Sequence, residues 1–510
     1  MAMAFRPLQT LSLLLLLLSR ASASASAAAA CASITAALGP SLVKTSGAEY
    51  NATATTLPWN LFNSVDRPTC IVYPEAARHV QSAMRAIFVA GSKYAVIAGG
   101  HCMRVCMRGY NSITDGVLIS FQNMQNISYD AVSGLVTLQP GIHWGDAVNY
   151  LEGFGVTVMG GRAADVGTGL LLGGGISFLS PQYGWSSDAL REVDLVLVDG
   201  RLVTATRSNQ FKDLFEAVKG GANRFGIATR YVVESVQTGI RADKNWFGGM
   251  VVVSGKSCKV GVWDDTLQLP GIYNDIVNDA MAKFVRENTD PKAIVLLLQD
   301  GLAPAGPSAN VLYLYYNGPS LPTSIYGPFL SLNATSVSFS ALSYAEIAAA
   351  IPGNERGNGQ GFGAASFIGS EATFHKGFNQ VRNFTTTFGA QLASFNTIVS
   401  VVPRSQWVAS TKRGPNAIGD PGKAYAVMNY YVVYPAGQTQ QGTEVRAGVE
   451  LLMEQLQYPE NEGLPLYINE CDASQAVYAT YPAFEKLKRT YAKYDPTRFN
   501  IRNTPGPLGL

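Results

Sequence analysis

The sequence predicts an α+β protein with more than one packed unit. The chain has 510 residues, and 47% of them are hydrophobic, which is enough for more than one core. Between Pro68 and about Val236, helical spacing alternates with short apolar runs. After Val236, longer runs rich in Val, Leu and Tyr lie among helical patterns. The second part therefore indicates a domain with a large antiparallel sheet flanked by helices.

The first residues have the pattern of a secretory signal peptide, from Met1 to about Ala30. Arg6 precedes the apolar run Leu11–Leu18, which is too short to span a bilayer, and a stretch of Ala and Ser follows it. An uncleaved membrane anchor is the alternative. Four glycosylation sequons also indicate passage through the secretory route. They begin at Asn51, Asn126, Asn333 and Asn383. We expect a secreted glycoprotein.

The elements of the first part follow from local patterns. Apolar spacing predicts helices over Pro74–Val89 and Trp144–Gly153, and Ser208-Asn209 is expected to cap a helix that ends near Lys219. Asp199-Gly200 between two alternating runs indicates a β-hairpin. Further strands are predicted at Ala95–Ala98, Gly116–Phe121 and Val136–Gln139.

The second part is predicted from longer patterns. Its expected strands are Trp246–Ser254, Ala293–Gln299, Val311–Tyr316 and Tyr425–Tyr434, and its expected helices are Ile272–Val285, Glu371–Phe388 and Pro482 to about Asp495. Gly353–Gly363 is glycine-rich, so we expect a mobile loop there.

Two glycine-rich motifs indicate a cofactor site. Gly99-Gly100-His101 closes a short strand with a tight turn, and glycines there let backbone amides approach a phosphate closely. A glycine series from Gly160 to Gly175 could do the same over a longer stretch. The series matches neither the dinucleotide fingerprint nor the P-loop. No nicotinamide site is therefore predicted.

Two more motifs follow along the chain, Asn223–Ile227 and Tyr467-Ile-Asn469. The order and spacing of all four motifs resemble those of the secreted fungal FAD-linked oxidoreductases of the berberine-bridge-enzyme-like group. That group belongs to the vanillyl-alcohol-oxidase, or PCMH-type, flavoprotein superfamily. The resemblance implies an N-terminal arm at 31–65, a PCMH-type FAD-binding domain of two α/β subdomains at 66–238 and a substrate domain at 239–455. A C-terminal segment at 456–510 would return to the FAD domain. We expect a monomer.

The resemblance also implies how FAD is held. The family's histidine at the position of His101 is bonded to the flavin 8α-methyl, and the cysteine that forms a second bond in some members is Ala163 here. FAD is therefore predicted to be attached by one bond, through His101. The residues predicted to bind it are Gly99, Gly100, His101, Gly160, Gly161, Val166, Gly167, Gly169, Gly173, Gly174, Gly175, Ser177, Asn223, Phe225, Gly226 and Ile227.

Catalysis is predicted at Tyr467 and Asn469, which would share one face of a strand above the flavin. A phenol of lowered pKa could take a hydroxyl proton as hydride leaves for the flavin. Asp420 and Tyr430 remain alternative bases. The predicted substrate is a small alcohol, phenolic compound or secondary metabolite, with molecular oxygen as acceptor and hydrogen peroxide as product. A carbohydrate oxidase and a flavin-binding protein with little turnover are the alternatives.

Cysteines and charge limit the remaining possibilities. Related fungal proteins have cysteines at places matching Cys31 and Cys70, so the resemblance implies a disulfide between them. Cys102 and Cys106 could pair or stay free, and no second Cys/His pair lies near them, so no metal site is predicted. The net charge is +2, and charged residues form 15% of the chain without long blocks. No nucleic-acid or membrane partner is expected.

Overall fold

The structure is a computed structural model that describes residues 7–101, 110–254, 275–301, 309–351, 353 and 355–510. The predicted loop cysteines Cys102 and Cys106, together with Cys258, lie outside the described residues. So do residues 1–6 and the first three residues of the predicted helix Ile272–Val285.

The first sheet has the order β1-β2-β4-β3, in which β2, β4 and β3 are parallel and β1 is antiparallel to β2. Val80, Met84 and Ile87 line the buried face of α3, which ends at Gly91 in the left-handed conformation that glycine adopts readily. The elements of this region are α1 (Pro7–Leu38), β1 (Val43–Lys44), α2 (Ala48–Thr55), β2 (Cys70–Val72), α3 (Ala77–Ala90), β3 (Tyr94–Ile97) and β4 (Val117–Ser120).

Helix α1 packs on this first sheet region. Ala30, Cys31 and Ile34 belong to the same buried cluster as Val80 and Met84 of α3. The predicted disulfide is present, because Cys31 is bonded to Cys70 at the start of β2. The helix is thereby fixed to the sheet both covalently and by apolar contacts.

The second sheet is antiparallel, with the order β5-β6-β10-β8-β9 among the described strands. The predicted hairpin is confirmed, since Val196 of β8 pairs with Leu202 of β9 around Asp199-Gly200. The elements here are β5 (Ile127–Asp130), β6 (Leu135–Leu138), α4 (Trp144–Glu152), β7 (Val156–Thr157), α5 (Ser180–Tyr183), β8 (Leu190–Val196), β9 (Leu202–Thr206), α6 (Lys212–Val218), β10 (Ile227–Glu234) and β11 (Val236–Gln237).

The predicted cap of α6 is wrong. The helix begins at Lys212, because the Asn209 side chain accepts a hydrogen bond from the backbone N–H of Phe211 at 3.0 Å and donates to the Thr204 carbonyl at 2.7 Å. These bonds close a separate turn before the helix.

The third sheet is antiparallel throughout, with the order β15-β12-β14-β13-β17-β18-β16 among the described strands. Side chains alternate across it, so that Leu296 of β13 joins the core shared with the second sheet while Leu297 joins the core under α7 and α10. The elements are β12 (Trp246–Ser254), α7 (Asp275–Glu287), β13 (Ala293–Gly301), β14 (Ala309–Tyr316), α8 (Thr323–Leu330), β15 (Ser336–Leu342), α9 (Tyr344–Ala348), β16 (Gln360–Phe367), α10 (Glu371–Phe388), β17 (Ser394–Val402), α11 (Arg404–Lys412), β18 (Tyr425–Val433) and α12 (Thr443–Gln455).

The loop predicted at Gly353–Gly363 is only partly a loop. Gln360 to Gly363 form the first half of β16, an edge strand whose residues are all buried and which pairs with β18. Buried backbone groups need hydrogen-bond partners, and the sheet provides them here in spite of the glycines.

The C-terminal residues lie against the first two sheets through α13 (Phe484–Tyr494) and α14 (Phe499–Asn503). Phe499 contacts the rings of Phe88 and Tyr94. The buried Arg224 side chain donates to the backbone carbonyls of Thr504 at 2.9 Å and Pro507 at 3.0 Å. Of the helices that the structure describes, none has the length and apolar character needed to cross a membrane.

Candidate active site

A cavity of about 310 Å³ lies between the first two sheets, the glycine series and strands β13 and β17 of the third sheet. It brings together several segments that are far apart in the sequence. The predicted site residues that line it are Gly99, His101, Val166, Gly167, Gly169, Gly173, Asn223, Gly226, Ile227, Tyr467 and Asn469.

His101 stands at the cavity wall directly after β3. Its turn requires glycine at position 100, where φ is +93° and a Cβ would lie 2.4 Å from the Leu57 carbonyl oxygen. The imidazole stacks on Trp59 with 4.8 Å between ring centroids. Its Nε2 lies 3.2 Å from Asp165 Oδ2, and its Nδ1 is buried without a hydrogen-bond partner among the described residues.

Asp165 is a residue that the sequence analysis missed. Its carboxylate contacts His101, and Arg356 Nη2 at 2.8 Å, and it faces His143 Nε2 at 3.9 Å. Burial raises the pKa of Asp165, but the hydrogen bond from His101 and the charge of Arg356 outweigh it, so that the pKa is below its ordinary value. Asp165 is therefore ionised at neutral pH. No local pattern marks it, because the two side chains that contact it most closely, those of His101 and Arg356, are distant along the chain, His101 by 64 residues.

The glycine series forms part of the cavity wall through a short 3₁₀ helix, Thr168–Gly173. A Cβ on Gly99 would lie 2.7 Å from Gly167 Cα, so the two backbones are in direct contact. A Cβ on Gly173 would lie 1.9 Å from Asn469 Oδ1. Gly169 differs from these, because no other atom of the described residues lies within 4 Å of its Cβ position, and it lines the cavity.

Other predicted glycines serve packing and do not line the cavity. Cβ atoms on Gly160 and Gly161 would lie 2.6 Å and 3.0 Å from ring atoms of Trp144, so both residues make room for that indole. Gly174 and Gly175 lie beside protein side chains in the same way. Gly100, Ser177 and Phe225 also lie outside the cavity lining.

Tyr467 and Asn469 are adjacent at the cavity wall, but the predicted strand is wrong. Tyr467 has an extended backbone and immediately precedes a 3₁₀ turn over Ile468–Glu470. Tyr467 Oη accepts hydrogen bonds from Asn469 Nδ2 at 3.0 Å and from the backbone N–H of Ile176 at 2.9 Å. Burial and then the charge of Glu470 raise the Tyr467 pKa, against the lowering effect of these hydrogen bonds and of Arg162.

Arg162 and Glu470 form an ion pair at the cavity that was not predicted from the sequence. Arg162 Nη2 lies 3.1 Å from Glu470 Oε1, and Arg162 Nη1 donates to Ser400 Oγ at 2.5 Å. Glu470 Oε2 is buried without a partner among the described residues. Burial raises the pKa of Glu470 above its ordinary value, although Arg162 opposes this. Both side chains line the cavity.

The alternative bases lie away from the cavity. Asp420 pairs with Arg404 through contacts of 2.5 Å and 2.8 Å on the surface. Tyr430 is buried in the core under α7 and α10, where its hydroxyl contacts Met428 Sδ at 3.0 Å. Neither of them lines the cavity that contains His101.

The residues of the cavity fit FAD. His101 Nδ1 is buried without a partner among the described residues, and because an unpaired buried nitrogen is costly, a cofactor that contacts it in the cavity would be favoured. The open space over Gly169 gives a ligand access to backbone at the point where the 3₁₀ helix begins. Tyr467 and Asn469 lie on the same cavity at Gly173, so a ring system held there would face both side chains.

Comparisons with known proteins agree with FAD as the cofactor. Residues 68–206 match the FAD binding domain family. The chain is 28% identical over 475 residues, 89% of each chain, to an uncharacterized FAD-linked oxidoreductase of Arthroderma benhamiae. It is 26% identical to an FAD-dependent monooxygenase of Arthrobotrys oligospora, covering 84% of this chain and 80% of the relative.

Two solved structures have the same fold. Berberine bridge enzyme from Eschscholzia californica is 14% identical with a TM-score of 0.72, covering 94% of this chain and 99% of that one. Xylooligosaccharide oxidase from Myceliophthora thermophila is 19% identical with a TM-score of 0.71, covering 94% and 100%.

The fold and the site together define a flavoprotein. The chain is an FAD-linked oxidoreductase with the fold of the berberine-bridge-enzyme-like oxidases, which confirms the resemblance predicted from its motifs.

Proposed function

We propose that this protein is a secreted oxidase that takes hydride from a small alcohol, phenolic compound or secondary metabolite and passes the electrons to molecular oxygen. The observation that carries the substrate class is the apolar side of the cavity. Leu296, Ile351 and Ile398 line it. Apolar walls with few polar groups suit a small, partly apolar substrate.

We further propose that FAD is bound through a single covalent bond to His101. Bound FAD supplies the hydride acceptor. Gly99, Gly167 and Gly169 would bring backbone close to it. The position of a second bond in the family is Ala163, which has no nucleophilic atom.

Tyr467 and Asn469 are proposed to act on the substrate hydroxyl. Tyr467 Oη already accepts two hydrogen bonds, from Asn469 and from the Ile176 backbone, and both would stabilise a phenolate. Burial opposes ionisation. The substrate proton would pass to Tyr467 Oη, and Asn469 would hold that oxygen in place.

Secretion and glycosylation are also proposed. The asparagines of all four sequons are exposed, as glycosylation requires. We propose that the signal peptide extends from Met1 to about Ala30 and is cleaved. The Cys31–Cys70 disulfide suits an oxidising compartment. We propose that the mature protein is a monomer.

A substrate screen of the purified protein tests the proposed reaction. Hydrogen peroxide yield and anaerobic bleaching of the flavin spectrum would be measured with two panels, one of small alcohols and phenols and one of mono- and oligosaccharides. Activity with the first panel supports the proposal. Activity with saccharides alone would instead establish the carbohydrate-oxidase alternative, and bound flavin that neither panel reduces would indicate a protein with little turnover.

A further inference from the structure

We propose that Asp165 positions His101 for its bond to the flavin, by holding the imidazole proton on Nε2 and leaving the Nδ1 lone pair as the nucleophile. This inference rests on the proposed covalent attachment through His101. Asp165 would not touch the reacting atoms, so it is a positioning residue.

The contacts determine which nitrogen carries the proton. An ionised carboxylate only accepts hydrogen bonds, so the 3.2 Å contact between Asp165 Oδ2 and His101 Nε2 requires the proton to be on Nε2. Nδ1 is buried without a partner among the described residues, so no acceptor there stabilises a second proton, and in the neutral imidazole Nδ1 carries the lone pair. A neutral imidazole protonated on one nitrogen is nucleophilic at the other.

Two neighbours keep this arrangement in place. The Trp59 indole stacks on the imidazole with an interplanar angle of 20°, which restricts rotation of the ring. Arg356 Nη2 contacts the same oxygen of Asp165 at 2.8 Å and keeps the carboxylate ionised. The third group facing Asp165, His143, lies farther away at 3.9 Å and also contacts the Gly99 carbonyl.

The charge balance of the bond-forming step gives Asp165 a second role. A C–H bond of the flavin methyl group breaks, and a C–N bond forms between that carbon and His101 Nδ1. The ring system would gain the methyl proton and two electrons. Molecular oxygen would then accept those two electrons with that proton and one proton from solvent, giving hydrogen peroxide and the oxidised ring system. The imidazole, still protonated on Nε2, becomes a cation next to the Asp165 carboxylate, which stabilises it.

The test is the rate at which FAD becomes covalently attached, which requires no substrate. Apoprotein of the wild type and of Asp165→Asn would be mixed with FAD in air, and acid-precipitated samples would be assayed for flavin on the His101 peptide. We expect attachment to slow by about tenfold or more, because a neutral amide neither fixes the tautomer nor balances the cation. Asp146→Asn is the matched control, since Asp146 is an exposed acid 3.7 Å from His143 Nδ1. It should behave as the wild type, and Asp165→Glu should restore part of the rate.

The outcomes of this assay are distinguishable, and one further measurement reports the tautomer. Attachment in Asp165→Asn at the wild-type rate would overturn the role of Asp165 and leave the His101 bond intact. A wild type without any flavin on His101 would instead overturn the proposed attachment, and this inference with it. The ¹⁵N NMR spectrum of the apoprotein, simplified by a total of four histidines, reports the tautomer directly even if a variant binds FAD poorly. An Nδ1-protonated His101 in the wild type would contradict the proposal.

Discussion

The ion pair between Arg162 and Glu470 joins the glycine series to the C-terminal segment, with 3.1 Å between Arg162 Nη2 and Glu470 Oε1 and 308 residues between the two along the chain. The two side chains are 14% and 10% exposed, so the pair is largely removed from water. Each charge depends on the other for solvation, and the pair therefore fixes the position of the segment that contains Tyr467.

Arg162→Met should lower the free energy of unfolding by about 3–5 kcal/mol, because it leaves the Glu470 carboxylate buried without its cation. The double variant Arg162→Met/Glu470→Gln should recover part of this loss. Denaturant unfolding of the apoproteins measures both. Arg404→Met, which breaks the exposed pair with Asp420, should cost at most about 1 kcal/mol. Equal losses at the two arginines would contradict the importance of burial.

The stability conferred by Glu470 should depend on pH in a defined direction. Burial raises its pKa in the folded protein above the ordinary 4.5, so the folded state holds this proton more tightly than the unfolded state does. The contribution is fully present below pH 4.5 and is lost as the pH rises through the raised pKa. Glu470→Gln does not titrate. Its stability relative to the wild type should therefore increase with pH above 4.5, and a decrease would show that Arg162 dominates over burial.

Covalent flavin should be found on His101 and on no other residue. Acid-precipitated protein should stay yellow, and after digestion the peptide containing His101 should have the added mass of FAD or of its phosphate-cleaved form. His101→Ala should keep the fold and release its flavin on precipitation, with a lower flavin potential and slower oxidation. A flavin bridge to a cysteine peptide, including Cys102 or Cys106, would contradict the single bond expected from Ala163.

Some residues of the site could be predicted from local motifs, whereas others are placed there by contacts between segments distant in the sequence. Gly99-Gly100-His101 could be recognised because a turn with positive φ at its second glycine is a property of consecutive residues. Tyr467 and Asn469 are in contact as expected, although a 3₁₀ turn and not a strand places them. Asp165 could not be predicted, because its role depends on contacts with His101 and Arg356 that only the folded chain makes.

The glycine series shows why composition alone was ambiguous. Gly160 and Gly161 accommodate the Trp144 ring, whereas Gly169 opens onto the cavity, and the sequence around them does not distinguish the two uses. The hairpin could be predicted more directly, because Asp199-Gly200 forms a turn whose geometry is determined by a few consecutive residues.

Gly169→Leu should weaken FAD binding without unfolding the protein. Its side chain would enter the cavity, since Gly169 lines it and no other atom in the described part of the chain lies within 4 Å of the Cβ position. A side chain that overpacks the cofactor site should cost about 1–3 kcal/mol of binding free energy. This corresponds to an increase of about tenfold or more in the Kd for noncovalent FAD binding. Flavin occupancy by absorbance and the thermal unfolding midpoint of the apoprotein would be measured together. Gly327→Leu, which also meets open space but lies outside the cavity, should bind FAD normally. Normal FAD binding by Gly169→Leu would place the cofactor elsewhere.

Tyr467→Phe should slow flavin reduction by substrate while leaving flavin content unchanged. The substitution removes only the hydroxyl that accepts hydrogen bonds from Asn469 and Ile176, and the ring can keep its stacking on Trp185. If that hydroxyl accepts the substrate proton, the reduction rate should fall by roughly a hundredfold or more, the usual scale for one acid–base group. Stopped-flow reduction with the best substrate of the peroxide screen measures it.

The control for this variant is Tyr344→Phe, which removes another buried hydroxyl, one bonded to Ser177 outside the main cavity. Its reduction rate should remain near that of the wild type, and reoxidation by oxygen should change little in either variant.

Because burial raises the Tyr467 pKa, the wild-type reduction rate should still be rising with pH above neutrality, and Tyr467→Phe should lose that rise. An unchanged reduction rate in Tyr467→Phe would remove this hydroxyl from the reaction. Glu470 would then be the remaining candidate base, because its carboxylate lines the same cavity and its Oε2 has no partner among the described residues.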